Sequence, residues 1–349
     1  MTTARATWPA HGLESVSACP ACGTPRRRLL HGGLSDRLFG APGVWTLWRC
    51  GGCATAYLDP RPSADTVGLA YTDYFWHQPP EEREREPSGA VEWVRRAMRN
   101  GYLRRALGYD LQPASGALGA VAAAVPDVAS ALDRWVRHLR REAPAPRLLD
   151  VGCASGEFLL QMRALGWDVH GMDIDDAALE QARGAGLSAF HGTLEAPAGE
   201  IAAGGFDAVT LNHVLEHLAD PVAALRSACE LLRPGGVLWV ATPNLRSLAH
   251  RMFGRDWLSL DPPRHLVLLS AETLVAAFGA AGLTDVTRPR PARNLRSVVA
   301  PSAALASGAD PHAPPPAHWT LRVKGLLAEE VALRRPELAE ELVVMGRRP

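Results

Sequence analysis

Residues 147–158 have the composition of a loop that holds a polar ligand. They read RLLDVGCASGEF, in which the apolar residues of a short predicted strand surround Asp150 and precede Gly152, Ala154 and Gly156. A helix that begins directly after this turn has N–H groups without intrahelical partners, and these carry partial positive charge. Glycine lets a ligand approach the backbone closely. The stretch therefore predicts a site for an anionic or dipolar ligand.

The spacing of small residues in this loop discriminates between two ligand classes. A dinucleotide fingerprint requires G-x-G-x-x-G, whereas the matching positions here are Gly152, Ala154 and Glu157. The Glu157 carboxylate would repel a pyrophosphate. The pattern D-x-G-x-A-x-G instead resembles motif I of the class I S-adenosylmethionine-dependent methyltransferases, whose loop cradles the methionine end of the cofactor. The resemblance implies cofactor contacts from five loop residues: Asp150, Gly152, Cys153, Ala154 and Gly156.

A second acid follows at the end of the next predicted strand, residues 167–172. Asp173 lies 23 residues beyond Asp150, close to the ~20-residue spacing at which an acid reaches a bound ribose in related strand–helix–strand units. Asp173 would accept hydrogen bonds from both ribose hydroxyls. Alternatively it is a helix N-terminal acid, although Asp175 or Asp176 could fill that role. The resemblance adds three cofactor contacts, the last two beside the adenine: Ile174, Thr193 and Leu194.

Apolar segments alternate with helical patterns along the rest of the chain. The predicted strands cover residues 148–151, 167–172, 187–190, 206–211, 237–241, 283–287 and 341–345. Strands that alternate with helices indicate an α/β fold with a parallel sheet covered on both faces. The resemblance implies a Rossmann-like seven-stranded sheet, mostly parallel, with the last strand antiparallel. Ligands bind beyond the carboxyl ends of such strands, and the candidate residues fall at those ends.

Two histidine-containing segments are candidates for the chemistry. Asn212 and His213 follow the fourth predicted strand, and the resemblance implies that they line the methionine or methyl end of the cofactor. His265 lies in the segment LDPPRHL, where a histidine beside Arg264 would suit an anionic, hydroxylated acceptor. The alternative is that Arg264 and His265 only form local pairs. If the acceptor is a hydroxyl, either His213 or His265 could act as general base.

His213, Glu216 and His217 also match H-x-x-E-H, the inverted zinc-protease pattern. On a helix these three side chains could share one face and bind a metal. The context favours the methyltransferase interpretation, because His213 directly follows a sheet strand at the expected cofactor edge. The methyltransferase family also carries a similar HVLEH stretch at this place.

Four cysteines form a separate motif near the N-terminus. Cys19 and Cys22 make one C-x2-C pair, and Cys50 and Cys53 make another after 27 intervening residues. Each pair lets two thiolates converge on one ion, and four thiolates complete a closed, tetrahedral zinc site. We expect a structural zinc ribbon; two disulfides are the alternative. A catalytic zinc is not expected, because no ligand position stays open.

The predicted domain organisation has three parts. A zinc ribbon covers residues 15–62, a helical linker or cap covers 63–142, and a class I methyltransferase domain covers 143–349. Residues 294–335 are a predicted insertion in the last part and a candidate lid. An aromatic cluster after the ribbon would pack against the main domain or help to cover the site: Tyr71, Tyr74, Phe75 and Trp76.

Composition limits the partners that the protein can have. The 37 basic and 37 acidic residues give a formal net charge of zero, so a strong global attraction to nucleic acid is not expected. No apolar run approaches the ~20 residues that span a bilayer. The first residues lack the apolar core of a signal peptide. We therefore expect a cytoplasmic protein, in which clustered cysteines favour a metal over disulfides.

The residues and the resemblance together predict methyl transfer from S-adenosylmethionine to a small-molecule acceptor, such as a sugar, a glycan precursor or a secondary metabolite. The chemistry would be in-line displacement at the sulfonium methyl, for which the protein mainly aligns the reacting atoms. One alternative is methylation of ribosomal or transfer RNA, with the ribbon gripping the RNA. Another is a scaffold that binds the cofactor without catalysis. The oligomeric state is not predicted.

Overall fold

The computed structural model describes residues 7–72, 89–290 and 293–349, and its N-terminal part begins with short strands. These strands are β1 (Leu13–Glu14), β2 (Arg27–Leu34), β3 (Trp45–Cys50), β4 (Ala56–Leu58) and β5 (Arg61–Pro62). Three helices follow: α1 (Ala90–Leu107), α2 (Gly116–Ala124) and α3 (Pro126–Trp135). The helices lie within residues 63–142, where the sequence predicts a helical region.

The remaining elements alternate between strands and helices. The strands are β6 (Arg147–Val151), β7 (Asp168–Asp173), β8 (Ser188–His191), β9 (Phe206–Asn212), β10 (Leu232–Pro243), β11 (Val267–Leu268), β12 (Thr284–Thr287) and β13 (Glu341–Arg347). The helices are α4 (Glu157–Ala164), α5 (Asp176–Gly184), α6 (Pro221–Leu231), α7 (Leu248–Phe253), α8 (Ala271–Ala280), α9 (Leu295–Ser307) and α10 (Trp319–Arg334). Strand β10 is longer than the predicted strand 237–241: it begins at Leu232, and its register with β9 shifts between Leu232 and Val237.

Seven of these strands form the main sheet, in the order β12-β13-β10-β9-β6-β7-β8. The neighbours from β10 to β8 pair in parallel. Strand β13 pairs antiparallel with both β10 and β12. The predicted α/β fold, with a mostly parallel seven-stranded sheet and an antiparallel last strand, is confirmed. From β6 the chain adds strands toward one edge of the sheet, and from β9 it adds them toward the other edge. Ligands bind in folds of this type at the point between two such strands.

Adjacent residues of β6 show how the two faces of this sheet are covered. Leu148 packs in a core with residues of the N-terminal helices and of α4, among them Leu103 and Leu159. Leu149 points to the opposite face and packs in a core with Leu225 of α6. Since a strand sends successive side chains to opposite faces, the unbroken apolar pattern of β6 requires burial on both sides.

A strand from the C-terminal part completes the N-terminal sheet. Strand β11 pairs antiparallel with β4, which gives a second sheet with the order β11-β4-β3-β2. Beside this pair, the backbone N–H of Leu58 donates to Leu266 O at 3.0 Å, and Leu266 N–H donates to Glu216 O at 2.8 Å. The boundary at residue 62 stays a prediction. The cysteine-containing segment is nevertheless joined by backbone pairing to the region around Glu216.

Residues 294–335 form two helices rather than an irregular loop. Helix α9 contributes Leu295, Val298 and Val299 to the main core. The insertion and its role as a lid stay predictions. Helix α10 leaves several large apolar side chains exposed, among them Trp319 and Leu327.

Helices α2 and α3 are the apolar part of the helical region. Ser115 caps α2, where its side chain accepts a hydrogen bond from Leu118 N–H, and Pro126 opens α3. No single helix in the three described ranges is long and apolar enough to cross a bilayer; α2 and α3 reach that length and composition only as a pair that is bent by 110°.

Candidate cofactor and metal sites

The glycine loop after β6 has the backbone geometry that a close ligand contact requires. Gly152, Ala154 and Gly156 have φ values of 70°, 46° and 87°, and α4 begins directly after them. A Cβ atom added to Gly152 would lie 2.4 Å from Val214 Cγ2. Both the positive φ and this contact exclude other residues, so glycine is required here. Ala154 adopts the left-handed region without being glycine, which costs of order 1 kcal/mol.

Asp173 stands at the end of β7 and is fixed by backbone donors. Its Oδ2 accepts from Ala154 N–H at 2.8 Å, which ties the second strand to the glycine loop. Its Oδ1 accepts from Ile174 N–H at 2.7 Å and Asp175 N–H at 3.0 Å. Asp175 caps α5, so the alternative role of helix cap belongs to Asp175. Asp173 is thereby a rigid acceptor at the strand tip, and the side chain of Ile174 beside it is 58% exposed.

The other predicted cofactor residues differ in what they can offer. Asn212 is the last residue of β9, and Thr193 accepts from Ala196 N–H at 3.3 Å in the loop after β8. The side chains of Cys153 and Leu194 are 6% and 5% exposed and pack in the core. A ligand could therefore meet only the backbone of Cys153 and Leu194. The contacts of these four residues with a cofactor stay predictions.

The Asp150 carboxylate is part of a buried ion pair. Its Oδ1 accepts hydrogen bonds from Arg137 Nη1 and from Thr210 Oγ1, the latter at 2.7 Å. Burial raises the pKa of Asp150, and the adjacent Arg137 opposes that rise. Arg137 also lies over the rings of Phe158, at 3.5 Å from the centroid, and of Trp239, at 5.4 Å. The contact of Asp150 with a cofactor stays a prediction; in this structure its carboxylate is bonded to Arg137 and Thr210.

Arg137 was missed because nothing in the sequence distinguishes it. It is one of several arginines at residues 134–141, and both it and His138 have a positive φ after α3 ends. Only the folded chain brings its guanidinium beside the strand that precedes the glycine loop. Its two bonds use Nη1, so the other edge of the guanidinium stays available to a carboxylate as far as the described residues are concerned.

His213 lies between two carboxylates. Its Nδ1 is 3.1 Å from Glu216 Oε1, and its Nε2 is 3.3 Å from Glu341 Oε1. Burial opposes the charged imidazole, but the bonds to Glu216 and Glu341 raise the pKa of His213 to about 10. The side chain is 45% exposed, and solvent weakens this effect without reversing it. A charged imidazole cannot accept a proton, so this environment disfavours His213 as a general base.

The H-x-x-E-H segment does not form the helix that the zinc-protease interpretation requires. His213 has a φ of 55°, and residues 215–217 make one short 3-10 turn. Glu216 and His217 approach His265 instead, and one possible ligand atom from each of these three residues lies within 4.8 Å of the others. Burial and the nearby His265 lower the pKa of His217 to about 4. The inverted zinc-protease interpretation is therefore wrong in its geometry.

Arg264 is a structural residue. Its side chain is fully buried, and Nη1 donates to Asp36 Oδ2 at 2.9 Å and to Ala70 O at 2.8 Å. Nε donates to both oxygens of Asp261 at 3.0 Å. Of the two roles that the sequence leaves open for Arg264, the structure therefore favours local pairing over binding of an acceptor.

The predicted aromatic cluster is only partly described. The hydroxyl oxygen of Tyr71 lies 3.1 Å from His217 Nδ1, so this residue packs at the histidine cluster. Tyr74, Phe75 and Trp76 lie outside the described residues.

The four N-terminal cysteines converge on one point. Cys19 Sγ and Cys53 Sγ are 3.6 Å apart, as are Cys22 Sγ and Cys50 Sγ, and all four sulfurs lie within 4.8 Å of one another. These distances are too long for a disulfide, in which the sulfurs are about 2 Å apart. They are close to the edge of a tetrahedron with a Zn–S bond of about 2.3 Å, which is roughly 3.8 Å. The cluster is consistent with a zinc-binding module.

Comparison with known proteins finds similar methyltransferases. A family model described as a methyltransferase domain matches residues 92–288. A ubiquinone biosynthesis O-methyltransferase from Methylocella silvestris is 33% identical over 209 residues, which are 51% of this chain and 81% of that protein. The protein of the same name from Caulobacter vibrioides is 35% identical over 175 residues, 44% of this chain and 69% of its own. A relative of this name from a Shewanella species is matched over 50% of its length.

Solved structures are similar at a lower level. An S-adenosylmethionine-dependent methyltransferase from Mesorhizobium loti has a TM-score of 0.40 and 19% identity, over 61% of this chain and 95% of that one. The family match covers the glycine loop, Asp173 and the segment from Asn212 to His217. Because it also extends over more than half of the chain, this protein belongs to the methyltransferase domain family and is an S-adenosylmethionine-dependent methyltransferase.

Proposed function

We propose that this protein transfers a methyl group to a hydroxyl oxygen of a small molecule, such as a sugar, a glycan precursor or a secondary metabolite. Relatives that are named O-methyltransferases of ubiquinone biosynthesis support an oxygen acceptor of low molecular weight. The formal net charge of zero also favours a small molecule over RNA. The observation that carries the proposal is the bond from Ala154 N–H to Asp173 Oδ2, which joins the glycine loop and the ribose acid into one rigid edge.

The residues at this edge fit S-adenosylmethionine. Gly152 and Gly156 keep the loop free of side chains, Asp173 retains acceptor capacity for ribose hydroxyls, and exposed Ile174 offers an apolar surface for the adenine. Arg137, held in place by Asp150, would bind the carboxylate of the amino-acid tail. When it is bound, the cofactor supplies an electrophilic methyl group on a sulfonium sulfur.

The role of the protein is then mainly to orient the reactants. Displacement at the sulfonium methyl needs the acceptor oxygen about 3–3.5 Å from the methyl carbon and in line with the sulfur. Charged His213, next to the end of β9, would attract an acceptor with partial negative charge rather than remove its proton. Of the two candidate bases, His265 is therefore the one that we retain; its Nδ1 lies 2.9 Å from Ser259 O.

We also propose that the cysteine cluster binds a structural zinc ion. The sulfur geometry fits, and four sulfurs leave no open position for a substrate. The metal would hold β3 and β4 together and, through the pairing of β4 with β11, support the segment that carries His265.

The test is to incubate the full-length protein with methyl-labelled S-adenosylmethionine and with separate pools of small metabolites, RNA and protein. We expect label in a small molecule, as a methyl ether that resists mild acid and base. Gly152→Ala should abolish labelling, because its Cβ would collide with Val214. The matched control is Gly184→Ala, since a Cβ there meets nothing within 4 Å, and it should retain full activity.

Three outcomes would overturn this proposal. Label confined to RNA would favour the ribosomal or transfer RNA alternative, in which binding should weaken steeply with salt. Label in a small molecule but on carbon or nitrogen would exclude O-methylation. Cofactor binding, shown by calorimetry, without label in any pool would favour a scaffold.

A further inference from the structure

A second cluster of possible metal ligands lies at the carboxyl end of β9. Glu216 and His217 lie in the short 3-10 turn Leu215–His217 after this strand, and His265 reaches them from the loop that precedes β11. Glu216 is 1% exposed and His265 is 8% exposed. The rings of His217 and His265 are 4.8 Å apart, edge to face, and Glu216 Oε1 lies 3.9 Å from His265 Nε2.

Both histidines direct Nδ1 toward a backbone carbonyl. His217 Nδ1 lies 3.0 Å from Arg264 O and 3.1 Å from the Tyr71 hydroxyl oxygen, and His265 Nδ1 lies 2.9 Å from Ser259 O. A carbonyl oxygen can only accept a hydrogen bond and a hydroxyl oxygen can also accept one, so both surroundings suit a proton on Nδ1. A neutral imidazole that is protonated at Nδ1 offers Nε2 as its metal-binding atom. A ring N–H donated to a backbone carbonyl is the arrangement that orients metal-binding histidines in proteins.

The carboxylate of Glu216 is oriented in the same way. Thr242 Oγ1 donates to its Oε2 at 2.9 Å, and His213 Nδ1 donates to its Oε1 from 3.1 Å. In the part of the chain that the structure describes, no donor satisfies Nε2 of His217 or of His265. One ring nitrogen from each histidine and a carboxylate oxygen of Glu216 thus lie within 4.8 Å of one another, close enough for one cation to draw them together.

We propose that Glu216, His217 and His265 bind a divalent transition-metal ion, with Zn2+ as the best candidate. Two imidazoles and one carboxylate suit Zn2+ or Fe2+ better than Mg2+, which prefers oxygen ligands. Three protein ligands leave at least one position for water or substrate, as in catalytic rather than structural sites. Binding would draw the ligand atoms about 1 Å closer together than they now lie.

The position of this site suggests what fills the open coordination place. Asn212 and His213, which the sequence assigns to the methyl end of the cofactor, immediately precede Glu216. If the proposed function holds, an acceptor hydroxyl bound to the metal would lose its proton to water more readily and present its oxygen to the methyl group. His265 would then be a metal ligand and not a general base.

The test uses the full-length protein with its cysteine site filled by Zn2+, dialysed and then titrated with Co2+ in a calorimeter and a spectrophotometer. We expect one further equivalent of metal. Its visible spectrum should show nitrogen and oxygen ligands, without the thiolate charge-transfer bands of a cysteine site. Neither S-adenosylmethionine nor an acceptor is present, so this readout is independent of the proposed function.

Glu216→Gln and His265→Gln should weaken the second equivalent by at least about 100-fold, more than the loss expected for a residue that only orients a ligand. His318→Ala is the matched control, because His318 is exposed and bonds only Thr320 and the start of α10. Retained zinc at the cysteines and an unchanged circular dichroism spectrum will show that each variant is folded.

A folded wild-type protein that binds no second equivalent at millimolar Co2+ would overturn the proposal. The same conclusion follows if folded Glu216→Gln and His265→Gln bind it as tightly as wild type. If both variants fail to fold, NMR spectra of the wild-type protein test the proposal. Added Co2+ should shift and broaden the ring proton resonances of His217 and His265. Unchanged resonances of these two rings would exclude this site.

Discussion

The two candidate metal clusters differ in how the chain builds them. Each half of the cysteine cluster is a C-x2-C turn. The local sequence of each turn is enough to place its two cysteines side by side. The Glu216 cluster takes two adjacent residues from the end of β9 and its third ligand, His265, from a loop after α7. Its ligands are also held by Thr242, Arg264 O and Ser259 O, which come from three different segments.

This difference teaches where a metal motif can be found. A closed thiolate site can organise a small module that has little core of its own, so its ligands must be close in sequence. A site with an open position is supported by a core that already exists, so its ligands can come from anywhere in the fold. The Glu216 cluster belongs to the second kind, and the H-x-x-E-H pattern beside it indicates the wrong third ligand.

The largest expected effect comes from breaking the cysteine cluster. Cys22→Ser should remove the tightly bound zinc, disorder the segment between β2 and β4 and, through β11, reduce methyl transfer by more than about 100-fold. Metal analysis, thermal unfolding and the labelling assay measure these changes. Cys229→Ser, at a buried thiol of α6 outside the cluster, should keep its zinc. A Cys22→Ser protein with full zinc content would contradict the proposed ligand set.

The next effect concerns the link between the two clusters. Arg264→Met should lower the free energy of unfolding by about 3–5 kcal/mol, because it leaves Asp36 and Asp261 without their cation in a buried place. It should also weaken the second metal equivalent, because the Arg264 side chain holds the loop that carries both its own carbonyl, which contacts His217, and His265. Denaturant unfolding and Co2+ titration test both effects.

The exposed arginine Arg293 is the matched control. It pairs with Asp127 and Glu330 but is 40% exposed, so Arg293→Met should change stability by no more than about 1 kcal/mol. Equal losses in Arg264→Met and Arg293→Met would show that the buried network does not stabilise the fold.

A smaller effect is expected at the cofactor edge, where a substitution should change cofactor affinity but not metal content. Asp173→Asn removes a charged acceptor of hydrogen bonds, each worth about 1.5–3 kcal/mol, so the affinity for S-adenosylmethionine should fall about 10- to 100-fold. Calorimetry measures the affinity, and metal content should stay as in wild type. Asp176→Asn, in the first turn of α5, should bind the cofactor normally. Unchanged affinity in Asp173→Asn would exclude Asp173 as the ribose acid.

The smallest effect concerns a carboxyl group that supports the His265 loop. Burial raises the pKa of Glu340 to about 7, although bonds from Trp257 and Ser259 oppose the rise. The folded state thus binds this proton more tightly than the unfolded state, and the stability that the proton contributes is lost as pH rises through 7.

Glu340→Gln, which resembles the protonated acid, should therefore be more stable than wild type at pH 8.5, on the order of 1–3 kcal/mol, and differ little near pH 4.5. Denaturant titrations at the two pH values measure this. Glu180→Gln, at an exposed site of α5, should show no such dependence. A constant difference between Glu340→Gln and wild type at both pH values would exclude the raised pKa.

Much of the fold could be predicted because its signals are local. The apolar strands and the glycine turn at Gly152 each depend on neighbouring residues, and both lie where the sequence indicates. The family assignment and the enzyme class are confirmed for the same reason, since the D-x-G-x-A-x-G spacing is itself the motif. The role of residues 294–335 could not be read in this way, because helix α9 gains its place only by packing on the core.

The sequence by itself determined the cofactor loop, the cysteine pairs and the alternation of strands and helices, because each is encoded over a few consecutive residues. Only the tertiary structure decided that Asp150 faces Arg137, that Arg264 is buried between Asp36 and Asp261, and that His265 lies beside Glu216. The physical reason is that the charge state and partners of a buried polar group are set by residues that the folded chain brings together, and the decisive partners, such as Asp36 for Arg264, can be more than 200 positions away.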